Sequence, residues 1–271
     1  MGNITSLNHD MSADTNVSAD PEVLENLSKK GFVLCRNFFT KSYTGELNDN
    51  IQRYARLDHP GIIKEDDGIT FRGIHGPHLY DSFFDQIASN KQIVALAEKI
   101  LGEACYLHQF KINMKQKMTG QAWPWHEDFV YWREKDGITE PKLVNIAVLL
   151  DDTDMLSGPL CFIPGSHNRA NTYAESDEKV ISDWRNDLSA DLNYKIDNES
   201  VADMIDAWGI EYALGNAGDL LVFNPLIAHC SGSNLSPFDR RLLILTFNAV
   251  SNAPAVQRGR PEFLCGRQPL V

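Results

Sequence analysis

The sequence predicts a mainly β fold, an antiparallel sandwich flanked by α-helices. Segments with helical spacing come first in the chain, and short runs of β-branched and aromatic residues bounded by turn formers follow them. The chain has 271 residues, of which 43% are hydrophobic, enough for one compact domain with a real core. We therefore expect one domain over residues 21–271 and, before it, a disordered tail over residues 1–20, which are polar and lack apolar periodicity.

Helices are predicted where apolar residues recur at helical spacing between start and stop signals. Pro21 stands in the first turn of the first such segment, Gly31 follows its end, and Gly102 ends the last one. The predicted helices lie within residues 21–31, 42–57 and 81–101. Residues 59–78 are rich in Gly, Pro, Asp and His and show no period, which predicts a long loop that closes over a binding site.

Strands are predicted where short apolar runs lie between turn formers. They cover residues 32–39, 105–114, 143–150, 159–163, 219–223 and 242–248. Residues 169–215 are charged and helix-prone, so we expect a helical insertion over one end of the sheet, which is a second candidate lid.

The charge of the chain narrows the class of partner. A formal net charge of −12 and a pI near 5.1 argue against nucleic acid and anionic membranes, whose phosphates are bound mainly by Lys and Arg. We expect a small-molecule substrate and a monomer or homodimer. The five cysteines are widely spaced without a CxxC pair, and no apolar run approaches the ~20 residues of a membrane span, which predicts reduced thiols in a cytoplasmic protein.

The stretch from Trp123 to Trp132 carries the strongest chemical signal. His126 and Asp128 are two residues apart, so on an extended strand both side chains leave the same face and can converge on one bound atom. About a hundred residues later, His229 offers a second imidazole. Two histidines and one carboxylate form the metal triad of non-haem iron oxygenases, and the aromatic residues around His126 are typical of small-molecule pockets.

A candidate anchor for an organic acid follows the second histidine. Arg240 lies eleven residues after His229, on the approach to a strand that can run antiparallel to the one carrying His229. Its guanidinium can form a bidentate pair with a carboxylate, which suits the distal end of 2-oxoglutarate. Arg241 should face the other way, and Cys230 should point away from the metal as a core thiol. His167 stands among turn residues, where a structural role is expected.

Several ordered motifs resemble the phytanoyl-CoA dioxygenase family of Fe(II)- and 2-oxoglutarate-dependent oxygenases, with the ectoine hydroxylases as the most similar group. The motifs are Gly31-Phe-Val, His126-Glu-Asp-Phe-Val-Tyr-Trp132, Gly158-Pro-Leu, Ile163-Pro-Gly-Ser-His167, Gly218-Asp-Leu, His229-Cys-Ser-Gly-Ser-Asn234, Asn248-Ala-Val-Ser-Asn252 and Arg260-Pro-Glu-Phe263. The resemblance implies a double-stranded β-helix, also called a jelly roll or cupin-like fold, which agrees with the predicted strands.

The resemblance also implies roles for individual residues. Fe(II) would be bound by His126, Asp128 and His229. The cosubstrate 2-oxoglutarate would be held at its distal carboxylate by Arg240 and Ser231 and contacted by Lys111 and Asn113. Substrate contacts would come from Gln109, Trp132, Phe129 and Ile244. Where Ile244 stands, the ectoine group has a Phe, and Glu127, Val130 and Tyr131 also depart from that group's motif.

The expected activity is therefore O2-dependent hydroxylation of a small polar metabolite, with release of succinate and CO2. Ectoine-like compounds, amino acids and other biosynthetic intermediates are the candidate substrates. Desaturation or ring formation with the same cofactors is an alternative, because the outcome depends on where the substrate carbon lies relative to the iron. A jelly roll that binds a ligand or Zn(II) without catalysis is the other alternative.

Overall fold

The computed structural model describes residues 21–169, 184, 188, 192–255 and 260–266. Its helices are α1 (Pro21–Lys30), α2 (Lys41–Tyr54), α3 (Ser82–Ala88), α4 (Lys91–Leu101), the single turn α5 (Phe129–Tyr131) and α6 (Asn198–Trp208). Its strands are β1 (Phe32–Cys35), β2 (Ile62–Lys64), β3 (Phe71–His75), β4 (Cys105–Lys115), β5 (Trp123–His126), β6 (Leu143–Leu149), β7 (Leu160–Phe162), β8 (Glu211–Tyr212), β9 (Leu220–Phe223), β10 (His229–Ser231) and β11 (Arg240–Ala249).

The strands form two antiparallel sheets. The larger has seven strands in the order β1-β9-β6-β11-β4-β3-β2, and the smaller has four in the order β5-β10-β7-β8. Two sheets flanked by helices confirm the predicted sandwich and the jelly-roll class. Among the described residues, no helix is both long and apolar enough to cross a membrane.

Alternation along β4 explains how the larger sheet serves both a core and a site. Phe110 and Ile112 are fully buried in the apolar cluster that the helices contribute to, where each side chain contributes about 1.5–3 kcal/mol on burial. Gln109, Lys111 and Asn113 alternate with them, so they point to the opposite face, toward the smaller sheet. The polar residues of β4 therefore line a cavity between the two sheets.

The segment predicted as a long lid loop is mostly a hairpin. Residues 59–78 contain β2 and β3, and β3 pairs with β4, so this prediction was wrong. Gly68 has a φ of 69°, and the Asp67 carboxylate accepts hydrogen bonds from the backbone amides of Ile69 and Thr70, which close the turn. A short, irregular hairpin leaves little period in the sequence to detect.

Three further boundaries differ from the prediction. The helix predicted over 81–101 is two helices, because the Asn90 side chain caps α4 by accepting from the amides of Gln92 and Ile93. The first strand stops at Cys35, and Asn37 then adopts a positive φ of 55°. Strand β5 ends at His126, so Asp128 is not on an extended strand as predicted, but adopts helical backbone angles before α5.

Other predictions fall wholly or partly outside the described residues. The tail over residues 1–20 does, and so does most of the insertion over 169–215, including nearly all of its predicted helix over 181–188. Its second predicted helix, over 201–208, is confirmed as the greater part of α6.

Candidate functional site

The metal-ligating residues predicted from the sequence converge in the structure. One ligand atom each from His126, Asp128 and His229 lie within 4.8 Å of one another, and all three residues are buried. His126 ends β5 and pairs with His229, which begins β10, and their ring centroids are 4.1 Å apart. Asp128 joins them through the helical turn, where its backbone amide donates to the carbonyl of Pro225.

Backbone carbonyls orient both imidazoles. Nδ1 of His126 lies 2.8 Å from the carbonyl oxygen of Pro124, and Nδ1 of His229 lies 2.9 Å from that of Ile227. Because a carbonyl only accepts, each Nδ1 carries the proton and each Nε2 keeps its lone pair. The second nitrogen of each ring is thus free to bind a metal.

The carboxylate of Asp128 is held at both oxygens. Asn145 donates from Nδ2 to Oδ2 over 2.8 Å, and Lys111 donates from Nζ to Oδ1 over 3.3 Å. Oγ1 of Thr246 in turn donates to Oδ1 of Asn145 over 2.6 Å, which fixes the orientation of the amide. These contacts set the position of the carboxylate before any metal binds.

The charges of the triad suit a divalent cation. Burial lowers the pKa of both histidines, and burial together with His229 brings that of His126 to about 3. Burial opposes ionisation of Asp128, but Lys111, His229 and His126 together outweigh it and lower the pKa of Asp128 to about 2. Two neutral imidazoles and one carboxylate on one face are the donor set of Fe(II) oxygenases, so the residues fit that metal.

Arg240 and Ser231 form a second polar group at the same cavity. Arg240 is 2% exposed, and Nη2 donates to the carbonyl of Gly158 over 2.7 Å. Nε of Arg240 and Oγ of Ser231 are buried and have no hydrogen-bond partner among the described residues. A buried guanidinium with an unpaired Nε and an unpaired hydroxyl in the same cavity suit a carboxylate, so the site fits the distal end of 2-oxoglutarate.

The location of Arg240 differs from the prediction in one respect. Its strand, β11, lies in the larger sheet between β6 and β4, whereas the strand of His229 lies in the smaller sheet. The guanidinium therefore faces the histidine across the sandwich and not along a shared ladder. Arg241 faces the other way, as predicted, and forms an ion pair with Asp151 at 2.6 Å.

Most of the predicted site residues line one cavity. Those that do are Gln109, Lys111, Asn113, His126, Asp128, Trp132, His229, Ser231, Arg240 and Ile244. Phe129 is not among the lining residues and instead packs in an apolar cluster with Trp132, Ile138 and Leu143. Its place one residue after Asp128 at the start of a helical turn directs it into that cluster.

Two residues outside the triad stand as their sequence context predicts. Nε2 of His167 hydrogen-bonds the carbonyl of Ser28 over 3.0 Å, in a turn beside α1. Cys230 alternates with His229 and Ser231 along β10 and is partly buried, and none of the five cysteines forms a disulfide. Neither residue lines the cavity.

The cavity has two ends along β4. Arg240 lies opposite Lys115 in the β11–β4 ladder, whereas Ile244 lies opposite Lys111 and Thr246 opposite Gln109. At about 3.3 Å per residue, the backbone of Arg240 lies about 13 Å along β11 from that of Ile244. The end near Gln109 is distinct from the end that suits 2-oxoglutarate.

Sequence reasoning missed several residues at the end near Gln109. Arg260 and Leu264 reach it from the C-terminal segment, and the Leu264 carbonyl accepts from Nε2 of Gln109 over 2.9 Å. Arg260 approaches the buried Asp136, with Nε 3.3 Å from Oδ1. The Arg-Pro-Glu-Phe motif was the available signal for Arg260, but it carries no role by itself. His75 also lines the cavity and lies in the segment mistaken for a loop.

Comparison with known proteins places this geometry in a family. Residues 27–242 match the family model "Phytanoyl-CoA dioxygenase (PhyH)". The L-proline trans-4-hydroxylase of Streptomyces griseoviridis is 37% identical over 224 residues, which are 82% of this chain and 83% of that protein. The ectoine dioxygenase of Nocardia farcinica is 28% identical over 255 residues, 91% of this chain and 85% of that protein.

A solved structure agrees over nearly the whole length. The crystal structure of EctD from S. alaskensis with 2-oxoglutarate and 5-hydroxyectoine has a TM-score of 0.80 and 26% identity, covering 96% of this chain and 88% of that one. The same enzyme with bound Fe has a TM-score of 0.78.

Proposed function

The chain belongs to the phytanoyl-CoA dioxygenase family, and from this premise we propose that it hydroxylates a small cyclic amino acid, with L-proline as the first candidate. It is an Fe(II)- and 2-oxoglutarate-dependent dioxygenase that acts on a small molecule and uses O2. The nature of that small molecule is the part that we propose.

The observation that carries the proposal is a second guanidinium in the cavity, that of Arg260, whose side chain is only 11% exposed. Arg260 lines the cavity, and its contacts with Asp136 and the Leu264 carbonyl place it at the end near Gln109. Arg240 stands at the opposite end. With Arg240 assigned to 2-oxoglutarate, Arg260 remains for a carboxylate of the substrate, since a guanidinium binds carboxylates by charge-assisted hydrogen bonds.

Similarity to relatives favours an amino acid over ectoine. Identity to the proline hydroxylase is 37%, whereas the ectoine dioxygenase of Nocardia farcinica is 28% identical. Ile244, where the ectoine group has a Phe, removes one aromatic wall from the cavity. Ectoine remains the second candidate, because Gln109 and Trp132 line the cavity where that group contacts its substrate.

The geometry of the cavity supports the remaining roles that we propose. His126, Asp128 and His229 would hold Fe(II), and Arg240 with Ser231 would hold the distal carboxylate of 2-oxoglutarate. Lys111 and Asn113 stand between these groups on β4, where they can contact the rest of the cosubstrate. When bound, iron supplies the oxidation of a substrate C–H bond by O2, coupled to conversion of 2-oxoglutarate to succinate and CO2.

The side chains around the metal ligands orient the substrate and exclude water. Trp123, Tyr131 and Trp132 line the cavity together with Leu160 and Leu264, so the reacting carbon is enclosed by apolar surface. Arg260 would fix the carboxylate end of the substrate, which limits the carbons that face the metal ligands.

The test is succinate formation from 2-oxoglutarate across a panel of L-proline, D-proline, L-pipecolate and ectoine, with product mass measured for each. We expect L-proline to give the largest kcat/KM and a product that has gained one oxygen atom. Loss of two hydrogens would identify desaturation or ring formation instead. No substrate-dependent succinate with any cyclic amino acid would overturn the proposal, and His126→Ala is the inactive control.

A further inference from the structure

His75 is buried in the cavity, and its side chain belongs neither to the metal triad nor to the proposed cosubstrate site. It ends β3, is 4% exposed and lines the cavity. Its backbone amide donates to the carbonyl of Gly61, and it lies opposite Lys111 in the β3–β4 ladder. Nδ1 of the imidazole is buried and has no hydrogen-bond partner in the part of the chain that the structure describes.

The surroundings of His75 keep the ring neutral. Burial, followed by the nearby cations Lys111 and Arg260, lowers its pKa to about 3. A neutral imidazole has one donor nitrogen and one acceptor nitrogen. His75 thus brings a neutral hydrogen-bond acceptor close to two cations, Lys111 and Arg260, whose carboxylate partners are Asp128 and Asp136.

An α-amino acid needs such an acceptor. Its ammonium lies next to its carboxylate, so a substrate anchored at Arg260 brings its own cation close to two others. A buried ammonium without hydrogen-bond acceptors is costly, and hydrogen bonds to charged groups contribute about 1.5–3 kcal/mol each. The substrate carboxylate offsets part of the positive charge of Lys111 and Arg260. Because it belongs to the same molecule as the ammonium, the acceptor for the ammonium has to come from the protein.

We propose that His75 determines specificity for amino acids by accepting a hydrogen bond from the substrate ammonium, while Arg260 binds the substrate carboxylate. This rests on the proposed function and deepens it. The pair forms a two-point site that distinguishes an amino acid from a simple carboxylic acid of the same shape.

The test compares binding of L-proline and tetrahydrofuran-2-carboxylate, in which a ring oxygen replaces the ammonium. Calorimetry on the protein loaded with Fe(II) and 2-oxoglutarate without O2 measures binding in the absence of turnover. We expect the wild type to bind L-proline at least about tenfold more tightly than the analogue. In His75→Phe, which keeps a ring, the preference should fall below about threefold through weaker binding of L-proline alone.

His75→Gln, which keeps an acceptor, should retain most of the preference, whereas a merely structural role would weaken both ligands in both variants. A second measurement needs no variant: in the wild type loaded with Zn(II), the ¹⁵N chemical shift of the His75 ring should move with L-proline and not with the analogue. Equal weakening of both ligands, or unchanged L-proline binding in His75→Phe, would overturn the role of His75 while leaving the proposed function intact. A wild type that binds no amino acid would overturn both.

Discussion

Asn145 holds the carboxylate of Asp128 by a 2.8 Å hydrogen bond from Nδ2 to Oδ2. Asn145 is fully buried in β6, and its Oδ1 accepts from Oγ1 of Thr246, so its amide has one orientation. With Lys111 on Oδ1 of the carboxylate, the ligand is positioned by residues from three adjacent strands of the larger sheet. The smaller sheet supplies both histidines, so the candidate metal site joins the two layers of the sandwich.

Replacing Asn145 should weaken metal binding without preventing folding. Asn145→Ala releases Oδ2 of Asp128, and loss of such an outer contact typically costs ten- to a hundredfold in metal affinity. Fe(II) or Co(II) titration without O2 measures the loss. Thr246→Val, which keeps the shape but not the hydroxyl, should give a smaller loss. Asn50→Ala, at a residue of α2 remote from the site, is the control and should leave metal affinity unchanged.

Metal content should separate the triad from a histidine outside the site. His126→Ala removes one of three ligands, so we expect iron to fall to a small fraction of one equivalent, measured by elemental analysis after reconstitution. His167→Ala is the matched control, because His167 hydrogen-bonds the backbone of Ser28 in a turn. Full iron occupancy in His126→Ala would show that another residue is the ligand.

The sequence was sufficient for most of this site and insufficient for its far end. His126, Asp128, His229 and Arg240 were found because they occur in short motifs whose chemistry is visible in residue type and spacing. His75 and Arg260 lie in segments without a period, and only the pairing of β3 with β4 and the contact of Arg260 with Asp136 bring them to the cavity. Such contacts form only in the tertiary structure, and no local sequence pattern predicts them.

The same difference between local patterns and tertiary contacts explains where the predicted secondary structure was wrong. The long strand β4 was predicted nearly to its end because polar and apolar residues alternate from Gln109 to Lys115. Strand β2 has only three residues, and the helical turn at Asp128 interrupts what reads as an extended segment. The position of Asp128 is set by its backbone contact with Pro225, nearly a hundred residues later in the chain.

Arg240 and its neighbour Arg241 provide a matched pair of variants that test the proposed cosubstrate site. Arg240→Lys keeps the charge but loses the two-pronged geometry, so we expect KM for 2-oxoglutarate to rise about ten- to a hundredfold. Arg241→Lys should leave that KM unchanged, since Arg241 pairs with Asp151 on the other side of the strand. Steady-state succinate formation at varied 2-oxoglutarate distinguishes them, and equal effects would indicate disturbance of β11 instead of lost recognition.

Acid should destabilise the metal-free protein partly through His75. Burial, Lys111 and Arg260 lower the pKa of His75 to about 3 in the fold, whereas a histidine in an unfolded chain has a pKa of about 6.5. Between these values the unfolded chain binds a proton that the folded protein lacks, so the free energy of unfolding falls as the pH is lowered. The slope for one such group is at most about 1.4 kcal/mol per pH unit.

Urea denaturation of the metal-free protein at several pH values between 7 and 4.5 measures this slope. His126 and His229, whose pKa values burial also lowers, contribute to the slope of the wild type and of His75→Phe alike. Their contribution cancels in the difference, which isolates His75. Below pH 6 the free energy of unfolding of His75→Phe should therefore fall less steeply than that of the wild type, and the difference in slope should correspond to close to one proton. Parallel curves would show that His75 is protonated as readily in the fold as in the unfolded chain.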